Sequence, residues 1–390
     1  MQTVLKGGTL IDGTGADPIE NGVLVMEGEE IVDVGPEGSV DYSEDGTVIN
    51  VSGKTIMPGM FNSHAHLAWD GEHDIQEQSE NDSVPIRTFK VADNMEKSLQ
   101  GGVTTVRDLG VHKSNIYAKE AAEKGIVQSP RLVVSGQAIA MTGGHTWWCC
   151  READGVDGVR QAVREQIKMG AEVIKVMGSG SVVEFTMEEL EAMVDEVHRN
   201  KKKITAHATF GEAIERVARA GFDSVEHGGT MDQETIDLLA DKDIFIVTTF
   251  SPVTLQAQQG EEFGMDPEFV EKRKKQMNDT SRYESITEAS NAGVDICMGT
   301  DAGSPLVPHN EVATELQLLV EYGICEDALE AISCATGNSA RLCGVEDEWG
   351  TLKEGLLADV LVIDGDPLSD LGELRDIEKV YLGGDLVLEN

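Results

Sequence analysis

Both ends of the chain alternate short apolar runs with turn residues such as Gly, Asp and Asn. The runs are Thr3–Leu5, Thr9–Ile11, Gly22–Met26, Glu30–Val34 and Thr47–Ile49 near the start, and Asp359–Ile363, Lys379–Leu382 and Leu386–Leu388 near the end. Short aliphatic and β-branched runs bounded by turn residues are typical of strands. The pattern predicts a small β-sandwich domain built from both chain ends, residues 1–57 plus 346–390.

Between the two ends, amphipathic stretches alternate with short β-branched runs. A helical stretch over 159–169 precedes the run 172–177, and a second over 187–199 precedes the run 204–207. The second stretch places its apolar residues on one helical face. Strands separated by helices run parallel, because the chain must cross back before the next strand begins.

Eight apolar runs occur in this middle region. They are 60–64, 103–108, 131–135, 172–177, 203–207, 223–227, 244–248 and 295–301. We therefore predict an α/β fold of the TIM type, a closed (β/α)8 barrel over residues 58–345, with its active site at the C-terminal ends of the strands. A doubly wound open sheet is the alternative, but no G-x-G-x-x-G motif follows the first strand.

The charge balance is strongly acidic. Asp and Glu total 71 against 31 Lys and Arg, a formal net charge of -40, while hydrophobic residues make up 40% of the chain. Nucleic acids and anionic membranes are therefore poor partners. We interpret the excess as adaptation to a salt-rich cytoplasm, where ions screen charge repulsion over about 3 Å at about 1 M. The alternative is an acidic protein without such an adaptation.

The cysteines and the hydropathy of the chain favour a cytoplasmic protein. The six cysteines show no C-x-x-C spacing, and only Cys149 and Cys150 are adjacent. A reducing compartment is the simpler interpretation of this usage. We expect neither a secretory leader nor a membrane span, because no basic segment precedes an apolar stretch and no apolar run is long enough.

Histidines and one aspartate mark the ends of several of the predicted strands. His64 and His66 close the first, His207 and His227 close two later ones, and Asp301 follows the last. Residues two apart on a strand point to the same face. Imidazole nitrogen and carboxylate oxygen suit Zn²⁺, with Mn²⁺ or Fe²⁺ as alternatives, and the absence of a Cys ligand favours a catalytic site. The aspartate could also take a proton from bound water.

Lys175 lies in the run 172–177, at the same end of the predicted barrel. An ammonium group cannot bind a metal, so a lysine in a cationic pocket must be neutral or modified. Desolvation and nearby cations lower a lysine pKa from about 10.4, and the neutral amine can capture CO2 as a carbamate long enough to bridge two metals. The alternative is a lysine that leaves the barrel and pairs with a surface acid.

These motifs resemble those of the metal-dependent amidohydrolase superfamily, within its imidazolonepropionase-like and Xaa-Pro dipeptidase (prolidase)-like group. The resemblance covers nearly the whole chain and rests on the segments 58–66, 170–177, 299–303, 335–342 and 355–360. It implies hydrolysis of an amide-like C–N bond by a hydroxide that bridges two divalent metals, most often Zn²⁺. It also implies that His64, His66 and Asp301 hold one metal, that His207 and His227 hold the second, and that carboxylated Lys175 bridges them.

The resemblance also assigns catalytic and substrate-binding residues. Asp301 would be the general base, and His145 would donate a hydrogen bond to the substrate carbonyl, although a structural loop histidine is the alternative. Trp147 is a candidate pocket wall, with loop packing as the alternative, and His309 is another candidate contact. Dipeptidases of this group tend to carry a tyrosine just after the seventh strand that binds the terminal carboxylate of the substrate. This chain has Phe250 there, which is a further candidate substrate contact. This departure argues against a dipeptide substrate.

Three functions remain open at this stage. The leading hypothesis is hydrolysis of a small-molecule amide, which would be a dipeptide, an N-acyl amino acid or a cyclic amide. Phosphotriester or lactone hydrolysis on the same binuclear site is the second, and a metal-free, non-catalytic scaffold is the third. Intact candidate ligands argue against the scaffold. Self-association as a homo-oligomer is left open.

If the charge excess is a salt adaptation, the midpoint of thermal unfolding should rise markedly between low and molar KCl. Added ions screen the repulsion among surface carboxylates, which weakens the compact state in dilute solution. Circular dichroism during heating measures the effect. A flat response across that range of KCl would contradict the salt adaptation.

Overall fold

The structure is a computed structural model that describes residues 1–43, 45–72 and 74–390. In chain order its strands are β1 (Gln2–Leu10), β2 (Ile19–Glu27), β3 (Glu30–Pro36), β4 (Thr47–Asn50), β5 (Thr55–Pro58), β6 (Met60–Ala65), β7 (Val103–Asp108), β8 (Arg131–Val134), β9 (Ile139–Ala140), β10 (Arg151–Glu152), β11 (Val173–Met177), β12 (Lys203–Ala208), β13 (Ser224–His227), β14 (Phe245–Thr248), β15 (Ile296–Met298), β16 (Val360–Ile363), β17 (Ile377–Leu382) and β18 (Asp385–Glu389).

The helices connect these strands. They are α1 (Ile75–Asn81), α2 (Val84–Gln100), α3 (Ser114–Glu123), α4 (Gly155–Met169), α5 (Met187–Arg199), α6 (Gly211–Ala220), α7 (Gln233–Asp241), α8 (Ser251–Phe263), α9 (Pro267–Asn278), α10 (Ser281–Asn291), α11 (Ala313–Glu321), α12 (Ala328–Cys334) and α13 (Gly337–Cys343). Short 3-10 turns occur at Trp147–Cys149 and Leu371–Arg375. Across the described ranges, none of these helices has the length and apolarity needed to span a bilayer, and the six cysteines are free thiols.

Both chain ends contribute to one eight-stranded sheet, in the order β18-β17-β16-β5-β1-β2-β3, with β4 also paired to β1. β5 joins the two ends, because it runs parallel to β1 and antiparallel to β16. Neighbouring residues on β1 belong to different apolar clusters: Leu5 packs with Leu24 and Ile56, and Val4 packs with Val23. Alternation along the strand thus buries both faces of the sheet.

Each of the eight apolar runs predicted in the middle of the chain is a strand. β6, β7 and β8 pair in parallel, and β11 through β15 form a second parallel series that β9 and β10 extend at one edge. Backbone hydrogen bonds connect the two series of strands. The Glu172 amide donates to the Val134 carbonyl, and the His66 amide donates to the Ala302 carbonyl, each at 2.8 Å.

The predicted helices have local sequence causes. At the start of α5, Thr186 and Glu189 form a reciprocal capping box, which satisfies amide groups that the first turn leaves free. α6 ends at Gly221, whose φ of 94° is left-handed, a conformation that glycine adopts without steric cost. The apolar faces of these helices are buried against the parallel strands.

The two ends of the parallel strands differ in chemistry. The histidines and the aspartate singled out above all lie at the C-terminal ends. His64, His207 and His227 are on β6, β12 and β13, and His66 and Asp301 follow β6 and β15. At the opposite end, a cavity of about 570 Å³ lies beside Arg131, Lys203 and Trp349. Arg131 there forms an ion pair with Asp359 at 2.6 Å. We therefore place the candidate functional site at the C-terminal ends.

Candidate metal centre

Five strands bring the predicted ligands together. Nitrogen or oxygen atoms of His64, His227 and Asp301 all lie within 4.8 Å of one another. The imidazole ring of His227 is 4.7 Å from that of His64 and 4.4 Å from that of His207, measured between ring centroids. His66 lies 5.2 Å from His64 on the same measure. The residues that the sequence singled out therefore lie together in one cluster of side chains.

The Nδ1 atoms of three of these histidines already have partners. His64 Nδ1 lies 2.6 Å from Glu226 Oε2, His66 Nδ1 lies 2.8 Å from the Gly110 carbonyl, and His227 Nδ1 lies 2.7 Å from Thr249 Oγ1. A carboxylate or a carbonyl can only accept, so His64 and His66 carry the proton on Nδ1. Their Nε2 atoms then hold a lone pair, as in histidines that bind metals.

Asp301 faces these nitrogen atoms. Its Oδ1 lies 3.1 Å from His66 Nε2 and 3.5 Å from His64 Nε2. Ligand atoms about 2.1 Å from a tetrahedral zinc ion are about 3.4 Å apart, so these separations fit a shared cation. Burial opposes the charged form of Asp301, but its contact with His66 and the charge of nearby Lys175 lower its pKa overall.

Burial also keeps three of the imidazoles neutral, those of His64, His207 and His227. It lowers the pKa of His64 to about 4, helped by the charge of Lys175 and opposed by Glu226. Burial likewise lowers the pKa of His207 and of His227 well below the usual range, and neighbouring histidines add to the shift. Neutral imidazole is the form that binds metals. The ligand atoms of these histidines and their protonation state therefore both suit divalent cations.

Two of the predicted ligands have unusual backbone conformations. His227 has φ of 71° and Asp301 has φ of 56°, a left-handed region that side chains other than glycine rarely occupy. Alternation along β13 would place His227 on the face opposite Glu226. The left-handed turn instead redirects the imidazole into the cluster. Such strain persists where the surrounding structure holds it, and it concentrates at functional sites.

Glu226 is a central residue of the site that our sequence analysis did not identify. Its side chain is inaccessible to solvent, and it accepts hydrogen bonds from Arg107 Nη1 at 2.8 Å and from Thr205 Oγ1. Burial opposes its ionisation, but the charge of Arg107 and the bond with His64 hold its pKa well below the usual range. Glu226 thus orients His64 from beneath the pocket.

Lys175 lies within the same charge network. The residue is 1% exposed, and among the described residues its amine has no hydrogen bond or ion pair. Burial lowers the pKa of Lys175 to about 8, although the charges of Glu226 and Asp301 oppose this shift. More of this amine is therefore neutral near pH 7 than of an exposed lysine. The amine does not leave the pocket for a surface acid, which removes the alternative considered above.

His145 joins the cluster at its edge. Its ring lies 4.3 Å from that of His207, between centroids, and its amide donates to Glu184. Glu184 is buried, and its Oε2 lacks any hydrogen-bond partner in the described ranges. Burial raises the pKa of Glu184 to about 7, against backbone hydrogen bonds that lower it. The geometry places the predicted His145 beside the candidate ligands.

The other predicted substrate contacts lie farther from the cluster. Trp147 is 48% exposed; its neighbour Trp148 contacts Trp69, whose ring is 4.5 Å from that of His66. Among the described residues, Trp147 has no ring contact with any of the candidate ligands. Trp148 is thus connected to the cluster through Trp69, whereas Trp147 is directed towards solvent.

Phe250 and His309 are both fully buried. Phe250 packs against two aromatic rings, those of Tyr283 and Tyr322, with centroids 5.2 and 5.5 Å away. His309 Nε2 lies 3.0 Å from the Trp69 carbonyl. Within the described residues, neither side chain has a hydrogen bond or a ring contact with a predicted ligand.

Comparison with known proteins adds an independent finding. A model described as the amidohydrolase family matches residues 55–387. The chain is 31% identical to an ochratoxinase from Aspergillus niger, over 98% of this chain and 86% of that protein. Among solved structures, a prolidase complexed with N-methylphosphonate-L-proline superposes with a TM-score of 0.90 at 31% identity, and a Xaa-Pro dipeptidase with bound methionine with 0.88 at 27%, each over 100% of both chains.

We predict that Glu226→Gln weakens zinc binding by about 10- to 100-fold, because supporting partners of metal-binding histidines contribute about that much to affinity. The variant should also be less stable, since Arg107 would lose its buried counter-charge. Competition against a chelator measures the affinity. Glu165→Gln is the matched control, because it removes a partly exposed Arg–Glu pair. Unchanged zinc affinity in Glu226→Gln would contradict the orienting role.

We predict that the free energy of unfolding decreases as the pH rises from about 4.5 to about 7, because of the raised pKa of Glu184. Its folded pKa is raised from 4.5 to about 7, so the folded state retains a proton that the unfolded state releases. The loss levels off above that window. Urea unfolding at several pH values measures the free energy of unfolding. Glu184→Gln should remove this pH dependence, whereas the exposed control Glu188→Gln should leave it unchanged. Identical pH profiles for wild type and Glu184→Gln would rule the effect out.

Proposed function

The chain belongs to the amidohydrolase family and is an enzyme acting on carbon–nitrogen bonds, and we propose that its reaction is the metal-dependent hydrolysis of a small amide. The substrate would be a dipeptide, an N-acyl amino acid or a cyclic amide. The observation that carries the proposal is the buried imidazole cluster, in which the Nδ1 atoms of His64 and His66 are held by acceptors and the Nε2 atoms face Asp301.

In this proposal two divalent cations, most simply Zn²⁺, occupy the cluster. His64, His66 and Asp301 would hold one, and His207 and His227 the other. Bound cations of this kind polarise a carbonyl group and lower the pKa of a water molecule. The contact between His64 and His227, 4.7 Å between ring centroids, supports two neighbouring sites in one pocket.

Lys175 would connect the two sites after carboxylation. The neutral amine adds to CO2, forming a carbamate N–C bond and releasing one proton. The lowered pKa of Lys175, about 8, supports this step because it makes the neutral amine available. The product would be an anion with two oxygens available to the two sites, and it would replace a buried positive charge with a negative one.

Asp301 would move the protons of the reaction. Its carboxylate is 20% exposed, so a water molecule and a substrate can reach it from the pocket. Asp301 would accept a proton from the attacking water and deliver it to the leaving nitrogen, which balances the hydrolysis of an amide to an acid and an amine. His145 would donate a hydrogen bond to the carbonyl oxygen as negative charge develops there.

The remaining candidate contacts would shape the pocket indirectly. His309 would hold Trp69, which packs on His66, and Phe250 would support Arg282, whose guanidinium lies 4.8 Å above its ring. Trp147 would contribute at the rim, because its side chain is 48% exposed. His145 is the one of the four that we propose touches the reacting group.

We also propose that residues 58–345 form a closed (β/α)8 barrel and that 1–57 plus 346–390 form a β-sandwich domain. The hydrogen bond from the His66 amide to the Ala302 carbonyl and the bridge between Ala65 and Ala302 support closure. The two apolar clusters on opposite faces of the terminal sheet support a sandwich. The free thiols fit the cytoplasmic location that we propose.

Lys175→Ala tests the proposed function most simply. The variant should lose bound zinc and amide hydrolysis together, and a short carboxylic acid added to the buffer should restore part of both by standing in for the carbamate. Metal analysis and acetate release from N-acetyl amino acids measure the two effects. Lys203→Ala is the control, because Lys203 lies on β12 at the opposite end of the parallel strands.

Full zinc content and full activity in Lys175→Ala would contradict the bridging role. Parallel assays with a phosphotriester and a lactone separate the amide reaction from the alternative chemistries. Hydrolysis of those esters without hydrolysis of any amide would overturn the proposed function.

A further inference from the structure

Two adjacent cysteines follow the histidine that is proposed to contact the substrate carbonyl. Cys149 ends the short 3-10 turn that begins two residues after His145, and Cys150 comes directly after that turn. They are the one pair of neighbouring cysteines in the chain. Both thiols are free, and the proposed hydrolysis gives them no role. Oxidation can join two thiols in a disulfide, so the pair is a candidate modification site.

The two side chains meet at Thr146. Cys149 Sγ donates to the Thr146 carbonyl at 3.2 Å, and Cys150 Sγ lies 3.6 Å from Thr146 Oγ1. A hydrogen bond with Cys150, and after it burial, raises the pKa of Cys149 well above its usual range, so the two thiols also contact each other. The sulfur atoms are therefore neighbours in space as well as in sequence.

The two thiols differ in their access to solvent. Cys149 is 7% exposed, whereas Cys150 is partly exposed and packs against Met177, on the strand that carries Lys175. Burial lowers the pKa of Lys175, and Cys150 is among the groups whose charge opposes that shift. Reactive cysteines are typically partly exposed and close to basic groups. An oxidant in the pocket would therefore reach Cys150 first.

Closing a disulfide here would change the turn. A trans peptide bond holds neighbouring Cα atoms about 3.8 Å apart, whereas the Cα atoms of disulfide-bonded residues are usually about 4.4 to 6.8 Å apart. The bond can therefore form only if the backbone of the turn rotates. Thr146, with a left-handed φ of 48°, and His145 directly precede the pair, so the rotation would displace the histidine. A disulfide formed under strain is also readily reduced.

We propose that Cys149 and Cys150 are a reversible oxidation site, at which peroxide joins the two sulfur atoms and thereby withdraws His145 from the reacting carbonyl. This inference rests on the proposed function, in which His145 donates a hydrogen bond to the substrate. Hydrogen peroxide oxidises Cys150 to a sulfenic acid and releases one water molecule. The Cys149 sulfur then displaces a second water molecule as the S–S bond forms. Two thiols and one peroxide thus give one disulfide and two waters, and an added dithiol reduces the disulfide again.

The first measurement is chemical and does not depend on activity. Zinc-loaded enzyme is treated with hydrogen peroxide, its remaining thiols are blocked, and the protein is digested with trypsin. Cleavage after Lys and Arg leaves both cysteines in the peptide 132–151, and leaves Cys325 and Cys334 in the peptide 283–341. The peptide 132–151 should lose two hydrogen atoms and resist blocking until dithiothreitol is added. A peptide with both thiols blocked, or with oxygen atoms on either cysteine, would overturn the proposal.

The second measurement tests the effect on His145. In the oxidised enzyme, kcat for acetate release from N-acetyl amino acids should fall by about 100-fold, the usual effect of losing one hydrogen-bond donor to the developing oxyanion. The zinc content should stay the same, and dithiothreitol should restore kcat. In His145→Ala, which already lacks the donor, peroxide should lower kcat little further.

Two cysteine variants complete the experiment. Cys150→Ser cannot form the disulfide, so its kcat should be the same before and after peroxide. Cys334→Ser is the matched control, because it removes a thiol from the other close pair, whose Sγ atoms lie 3.6 Å apart. It should respond to peroxide as wild type does.

The possible failures are distinguishable. A disulfide in the peptide 132–151 with unchanged kcat, or equal inactivation of wild type and Cys150→Ser, would overturn the inference and leave the proposed function standing. No amide hydrolysis by untreated, zinc-loaded wild type would contradict the proposed function and the effect on His145 together. The mass of the peptide would still decide whether the two cysteines are an oxidation site.

Discussion

The orientation of the buried imidazoles is the constraint on which the rest of the site depends. Glu226 and the Gly110 carbonyl hold Nδ1 of His64 and His66, so both rings present a lone pair to the same small volume. The Asp301 carboxylate faces that volume as well. Several electron-rich atoms buried in one place repel one another unless a cation lies between them. A metal site is the simplest way to satisfy all of these groups.

The charges beneath the pocket support this orientation. Glu226 is ionised although buried, because Arg107 reaches it from β7 and Thr205 from β12. These contacts connect three parallel strands under the imidazoles, so the position of His64 depends on the packing of the whole sheet. His227 and Asp301 also have a left-handed backbone, which residues other than glycine rarely adopt. The surrounding structure therefore holds both residues in a conformation that is locally unfavourable.

Much of the fold could be predicted from the sequence because its strands are short apolar runs separated by amphipathic helices. Each predicted run is a strand, and the ligands lie at strand ends, where local pattern and chemistry coincide. Glu226 could not be identified this way, since in sequence it is one of 71 acidic residues. Its importance depends on Arg107, which is distant in the chain.

The side-chain directions of the residues around the pocket were harder to predict from the sequence, for the same reason. Phe250 follows β14 and was expected to contact substrate, but α8 begins at Ser251 and the ring turns towards Tyr283 and Tyr322. Glu315 from α11 accepts the Phe250 and Ser251 amides at 2.8 Å and fixes that turn. Trp147 and Trp148 are adjacent, and only packing against Trp69 distinguishes them. Strand ends are local properties, whereas loop directions depend on distant partners.

A crystal structure of the zinc-loaded protein, with anomalous scattering recorded at the zinc edge, tests the central claim most directly. The account predicts two anomalous peaks among the Nε2 atoms of His64, His66, His207 and His227, with density for a carboxyl group extending from Lys175 Nζ between them. A protein saturated with zinc that showed no peak there and an unmodified Lys175 amine would contradict it.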